Sequence, residues 1–488
     1  MSARTIAVGL LLTCIAITTI PQIRPVVLDG VVRDAHGPAS NATIGWQGRR
    51  ERVRSDADGQ FRLPGIVGFH WLVAHKPGFR ITSSLSPSLH LNPLPNEDND
   101  AYEWIDPHRD LSKPHNCANC HGEIYREWLG SAHAKSATNP KFLSLFDGDN
   151  RHLSWNARRE HPDGSAVCAS CHAPTLRSPT LDYDIRKAEG VAKAGVHCDY
   201  CHKVADTATD NFGKLFGRDA LALLRPPAGD MLTFGPLDDA IRPGESFAVS
   251  PIYKESRYCA GCHEGVVFGV HAYATYSEWL ASPARGQGKQ CQTCHMAPTG
   301  AMTNIAPGKG GIEREPLSLA SHHTPGTTPA MLRRAVKLQA EVRDHAVHVE
   351  LLASDVGHRV PTGFPDRQLI LVVKATDADG RAVSLHEGLK LPASAGDFAN
   401  RPGILFAKQL VGEHAKTPSP FWLPVFNTRD TRLHPDQPER ATFRFKSEIR
   451  RAVVQLWYRR FWHHVAASRG WTDNDTLVHE VTLVWAKR

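Results

Sequence analysis

Three hydrophobic patterns succeed one another along the chain. From about Pro25 to Ser84, apolar and polar positions alternate in short runs: Val26 to Val32, Ala42 to Trp46, Gln60 to Leu63 and Trp71 to Ala74. The turn strings Asp34-Ala-His-Gly37, Asp56-Ala-Asp-Gly59 and Lys76-Pro-Gly78 separate them. Alternation with a period of two, punctuated by Gly and Pro, predicts a small antiparallel β-sandwich over 25–84. Residues 85–112, rich in Pro, Asn and Asp, read as a linker. Over 113–329 the alternation is lost. Loop-rich, Pro- and Gly-rich sequence carries short amphipathic stretches such as Tyr125 to His133, and a mainly helical, loop-rich domain is expected there. From 330 to 488 strands return at Val336 to Val342, Val347 to Leu352, Leu369 to Ala375, Ala441 to Phe445, Val453 to Tyr458 and Val478 to Trp485. Asp377-Ala-Asp-Gly380 reads as a hairpin turn, and Phe461 to Arg469 as a helix. The fold class predicted is multidomain, with the mainly helical domain flanked by two small all-β sandwich domains.

The first 22 residues follow another rule. Arg4 precedes an almost wholly apolar stretch from Ile6 to Ile20. That is short for a membrane span and suits the core of an export signal. No clean small-x-small cleavage site follows, so an uncleaved N-terminal membrane anchor is the second reading. Cys14 lies inside the stretch. With Thr13 before it and Ile15 to Ile20 after it, it fits a lipid-modified Cys poorly. An exported protein is expected, periplasmic or at the cell surface.

The other ten cysteines fall into five pentapeptides: Cys117-Ala-Asn-Cys120-His121, Cys168-Ala-Ser-Cys171-His172, Cys198-Asp-Tyr-Cys201-His202, Cys259-Ala-Gly-Cys262-His263 and Cys291-Gln-Thr-Cys294-His295. Chance placement gives this pattern roughly 0.01 times in a chain of this composition. Cys-x-x-Cys-His is the covalent attachment pattern of haem c. Two thiols add to the two vinyl groups of one porphyrin, and the adjacent imidazole becomes the proximal iron ligand. Zinc also takes Cys-x-x-Cys pairs, but does not demand His after each one. Five covalently bound haem c groups are predicted, with His121, His172, His202, His263 and His295 as proximal ligands. They change the charge balance. The formal +7 of the polypeptide falls to roughly +2 oxidised and −3 reduced once propionates and ferric irons are counted. The basic pI is therefore no sign of a nucleic-acid partner, and no basic run with interleaved aromatics suggests one.

The sixth position on each iron decides between electron transfer and catalysis. Of 27 His, 22 remain after the proximal five, against only five Met. Mostly bis-His ligation is expected. The candidates are His133, His358, one of His322 and His323, and His271. His115, His152, His161 and His197 are reserves. An internal repeat bears on this. Tyr125-Arg-Glu-Trp128-Leu-Gly-Ser131-Ala-His133 and Tyr276-Ser-Glu-Trp279-Leu-Ala-Ser282-Pro283-Ala284 share their spacing, but Ala284 stands in the register of His133.

Two resemblances follow from these strings. Leu28-Asp-Gly-Val-Val-Arg, Ser55-Asp-Ala-Asp-Gly-Gln-Phe61 and Ala74-His-Lys-Pro-Gly-Phe79 resemble a carboxypeptidase regulatory-like, transthyretin-type domain, which implies stability or contact rather than chemistry. From about His115 onward the chain resembles the multihaem c-type cytochromes related to hydroxylamine oxidoreductase and its small tetrahaem electron acceptor. The matching strings are Cys117-x-x-Cys120-His121-Gly-Glu-Ile-Tyr125-x-x-Trp128-x-x-Ser131-x-His133, Gly195-Val-His-Cys198-Asp-Tyr-Cys201-His202, Tyr276-x-x-Trp279-x-x-Ser282-Pro283, Cys291-Gln-Thr-Cys294-His295-Met296 and Gly357-His358-x-x-Pro361-Thr-Gly363. This resemblance implies that His133 and His358 are distal ligands. The chain departs from the group in lacking a Cys-x-x-Cys-Lys site, in having five attachment sites rather than eight, and in its N-terminal module.

Three readings follow. The favoured one is a carrier that passes single electrons between redox protein partners, a membrane quinol-linked donor and a periplasmic or surface acceptor. The alternative is an oxidoreductase acting on a small nitrogen or sulfur compound at one five-coordinate haem, with the site of His263 as the candidate because of Ala284. The third is a structural subunit of a larger cytochrome complex, for which the two sandwich domains speak. Nothing in the sequence bears on oligomeric state.

Overall fold

The computed structural model describes residues 27–148, 154–162, 166–176, 184–207, 215–344, 346–415 and 417–484. The apolar N-terminal stretch with Cys14, and His152, lie outside the described residues.

Two four-stranded sheets face each other near the N-terminus. In one, Val27–Asp34 is central, antiparallel to Gly37–Pro38 and Gln60–Pro64 and parallel to Ser88–His90. In the other the order is Arg52–Arg54, Thr43–Trp46, Leu72–His75, Thr82–Ser84. Gln60–Pro64 shows how the sequence builds this: Phe61 and Leu63 point inward while Gln60, Arg62 and Pro64 face solvent. They meet Val32, Ile44, Leu72, Ala74 and Leu89 in one core. The stretch read as a linker therefore begins with a strand, and Leu89 and Leu91 are buried in this core.

Strand exceeds helix in the chain, at 31% against 21%, and the expectation of a mainly helical central domain is overturned. The longest described helix between the two β regions, Gly122–Gly130, has nine residues. Between the short helices lie two-stranded ribbons: Val204–Thr207 with Leu221–Leu223, Leu232–Gly235 with Ser246–Val249, and Glu264–Val267 with Val270–Ala274. The reason is local. Each pentapeptide needs one helical turn and no more, and short ribbons or loops follow most of them.

The C-terminal region again holds two sheets. One orders Val336–Arg343, Ala346–Ala353, Pro438–Phe445 and Leu385–Glu387; the other orders Asn427–Asp430, Gly403–Val411, Gln368–Thr376, Arg451–Arg459 and Asp475–Val484. Gln368–Thr376 is buried on both faces, which explains its unbroken apolar run. Leu369, Leu371 and Val373 face the other sheet. Ile370 and Val372 face Leu145, Trp155, Val267 and Ala272 of the central region. The Asp377-Ala-Asp-Gly380 turn closes a short hairpin, with Asp377 N donating to Arg381 O at 3.0 Å, Val383 N to Ala375 O at 2.9 Å and Thr376 paired antiparallel to Ala382, before the chain crosses to the opposite sheet at Leu385. His463–Ser468 is helical.

Ion pairs clamp the N-terminal module to the central region. Arg52 reaches Asp238 with two bonds of 2.7 and 2.6 Å. Arg80 reaches Asp230, and Gly48 N donates to Asp239 at 2.7 Å.

Candidate haem-attachment sites

Each pentapeptide lies on a single helical turn: Cys117–Asn119 leading to His121, then Val167–His172, Cys198–Cys201 with His202 capping it, Arg257–His263 and Cys291–His295. At spacings of three and four residues, both cysteines and the histidine lie on one side of such a turn. All ten thiols are free.

The imidazoles are prepared for a metal. His121 Nδ1 lies 2.9 Å from Ile305 O, His172 Nδ1 3.0 Å from Ser136 O, His202 Nδ1 2.6 Å from Phe234 O, and His295 Nδ1 2.7 Å from Pro325 O. A carbonyl only accepts, so Nδ1 carries the proton and Nε2 keeps its lone pair for an iron. Burial favours the neutral form, which ligates, at three of the five: His172 is lowered, His202 is pushed down to about 4 and His263 to about 3. Among the described residues no three His, Cys, Asp or Glu side chains converge to hold a bare ion, as a tetrahedral zinc site needs. The donor set fits haem c.

Thiols of different pentapeptides lie against one another. Cys198 interacts with Cys117, Cys262 with Cys171, and Cys259 with Cys291. The Tyr258 hydroxyl, next to Cys259, donates to Cys201 O at 3.0 Å. Buried Tyr200 senses Cys262, Cys201 and Cys171 together. The first pentapeptide therefore abuts the third, the third abuts the fourth, and the fourth abuts both the second and the fifth.

Two distal candidates stand opposite proximal rings. The centres of His133 and His263 are 6.3 Å apart, as are those of His358 and His295. An iron held between two imidazoles sets their centres roughly 6 Å apart, given metal–nitrogen bonds of about 2 Å. His133 Nδ1 faces Thr324 Oγ1 at 3.3 Å and His358 Nδ1 faces Arg359 O at 2.9 Å, so Nε2 of His358 is left available in the same way. His133 sits past the end of its helix, not on it. Of the His322–His323 pair, His322 is half-buried and its ring meets the Ala320 backbone; it lies near both His121 and His202. The His323 side chain is 57% exposed and turned to Glu127. His271 is directed elsewhere: its Nε2, the atom that would ligate, makes a short contact with Glu264 across the ribbon. His115 is exposed and His161 packs on Phe268. His197 is wholly buried, and its Nε2 has no partner. Phe142 stacks on His172 at 3.7 Å, and among the described residues no imidazole makes a ring contact with His172.

The repeated strings occupy equivalent places. Trp128 Nε1 donates to Val196 O at 2.9 Å and Trp279 Nε1 to Lys289 O at 2.8 Å; each acceptor lies two residues before the first Cys of a pentapeptide. The Glu preceding each Trp, which the sequence reading passed over although it stands in both copies, holds a histidine loop. Glu127 Oε2 accepts from His322 N at 2.6 Å. Glu278 Oε2 accepts from Arg359 N at 3.2 Å and Thr362 Oγ1 at 2.8 Å. Ala284 lies under Gly357, where an added Cβ comes within 3.4 Å of the Ala284 Cβ and 3.0 Å of the Trp279 ring. The space that His133 uses in the first copy is thus taken in the second by the loop carrying His358.

Residues 116–203, which hold the first three pentapeptides, match the family model of cytochrome c554 and c-prime. No curated protein matches the chain. Among solved structures the chain is similar to a penta-haem cytochrome c552 from Thermochromatium tepidum, at 22% identity and a TM-score of 0.54, covering 76% of this chain and 97% of that one; this shows a shared fold. With the pentapeptides, the two matches support a multihaem c-type cytochrome with covalently bound haem c.

Proposed function

We propose that this chain is an exported c-type cytochrome with five haems that passes single electrons between redox partners, a membrane quinol-linked donor and a periplasmic or surface acceptor. The observation that carries this is the contact of thiols between pentapeptides. Haems attached at Cys117 and Cys198, at Cys171 and Cys262, and at Cys259 and Cys291 would be neighbours, with the fourth site between the second and the fifth. When bound, haem supplies one-electron redox chemistry; the protein sets its potential through axial ligands, burial and hydrogen bonds. His133 serves the iron of His263, and His358 that of His295. Glu127 holds the His322 loop as Glu278 holds the His358 loop, which favours His322 for the iron of His202. His197 is a poor candidate for any iron, because its Nδ1 accepts from Tyr200 N at 3.4 Å and the proton therefore sits on Nε2.

The alternative is an oxidoreductase acting on a small nitrogen or sulfur compound. Its expected site, the haem of His263, is disfavoured by His133 opposite that ring. The site to examine becomes that of His172. Haem quantitation followed by challenge with nitrite, hydroxylamine and sulfite tests the choice. The carrier reading expects five haems per chain and an unchanged haem spectrum. Turnover of one of these compounds contradicts it.

A further inference from the structure

We propose that the Gly65–Trp71 end of the N-terminal module rests on a lipid bilayer. The loop joining the two sheets there, Gly65-Ile-Val-Gly-Phe-His-Trp71, presents Val67 at 97% and Phe69 at 75% exposure. Trp71, Val27 and Leu85 are exposed as well. Strand register gathers them at one end of the sandwich. Val27 pairs with Pro64, and Ser84 with Leu72, so Val27 and Leu85 flank the loop on either side. Trp46 also pairs with Leu72, which brings the following turn with Arg49 and Arg50 to the same end. Phe69 and Trp71 meet edge to face, with centres 6.2 Å apart.

The occupant follows from the reading of the N-terminal stretch as an uncleaved membrane anchor. Val27 is the first described residue, and the apolar stretch from Ile6 to Ile20 ends seven positions before it. Seven extended residues reach at most about 25 Å. A bilayer that takes up that stretch thus lies within reach of the loop. Aromatic side chains beside arginines suit the headgroup region of a membrane. One seven-residue loop is well short of the roughly 800 Å² per partner of a stable protein–protein interface. The loop also borders a cavity of about 1070 Å³ that Arg242 lines as well, and Arg242 Nη1 lies 3.5 Å from Cys120 Sγ. The proposal does not depend on the electron-transfer reading, because the loop side chains it uses belong to no pentapeptide.

Hydrogen exchange of the full-length holoprotein, with and without vesicles of phosphatidylcholine and phosphatidylglycerol, tests it. Peptides covering residues 60–72 are expected to gain protection only when vesicles are present. The double variant Val67→Ser, Phe69→Ser, altered only at exposed side chains, should lose that protection and partition on the order of tenfold less. Three results overturn the proposal: no vesicle-dependent protection; protection already present without vesicles, as a second copy or the N-terminal stretch covering the loop would give; or protection unchanged in the double variant.

Discussion

The two copies of the Tyr-x-Glu-Trp-Leu-x-Ser segment do the same structural work and differ in one chemical respect. In each, the Trp N–H is anchored to the backbone just before a pentapeptide and the Glu carboxylate holds a loop bearing a histidine. In each, the pentapeptide before the segment touches the anchored one, Cys117 with Cys198 and Cys259 with Cys291. The first copy, however, ends in His133, which faces the ring of His263 in the second unit. The second ends in Ala284 and leaves room for the loop of His358. The lesson is that side chains remote in sequence meet in the packed fold, and that His133 brings the first unit against the second.

Several substitutions break or sharpen this comparison. The largest effect is expected from His358→Ala, which should convert one low-spin iron to high spin; added imidazole should reverse the change in the absorption spectrum. Next comes Glu278→Ala. The Arg432 and Glu278 side chains are 6% and 8% exposed and 2.7 Å apart, so removing the carboxylate should cost about 3 kcal/mol in denaturant unfolding. Glu127→Ala should cost less, about 1–2 kcal/mol, because its His323 partner is exposed. Ala284→His, which restores the first copy's residue to the second, should supply no ligand. It should destabilise by about 1–3 kcal/mol through overpacking against Gly357, with the count of low-spin irons unchanged. The smallest effects are expected from Trp128→Phe and Trp279→Phe, each losing one hydrogen bond worth about 1 kcal/mol. Near-equal losses in thermal unfolding would confirm the equivalence of the copies.

Much of this was legible in the sequence. Alternation such as that of Gln60–Pro64 gives a strand because a half-buried sheet imposes a period of two. The Cys-x-x-Cys-His spacing is legible because one turn must present three groups to one porphyrin. The distal partners were not legible. His133 precedes His263 by many elements of chain, and only the packed fold brings the rings together. His271, near His263 in sequence, is turned by a two-stranded ribbon onto Glu264, a contact that sequence proximity does not reveal. Helix was overestimated in the centre because the motif requires only a turn, and strands of three to five residues carry too little pattern to be read.

Low-temperature electron paramagnetic resonance of the oxidised holoprotein beside its His133→Ala variant tests the central claim most directly. The account predicts that the variant loses one low-spin ferric signal and gains one high-spin signal of equal weight, and that substituting His263 removes the same low-spin signal. A spectrum unchanged by His133→Ala, or loss of a signal that survives substitution of His263, would contradict it.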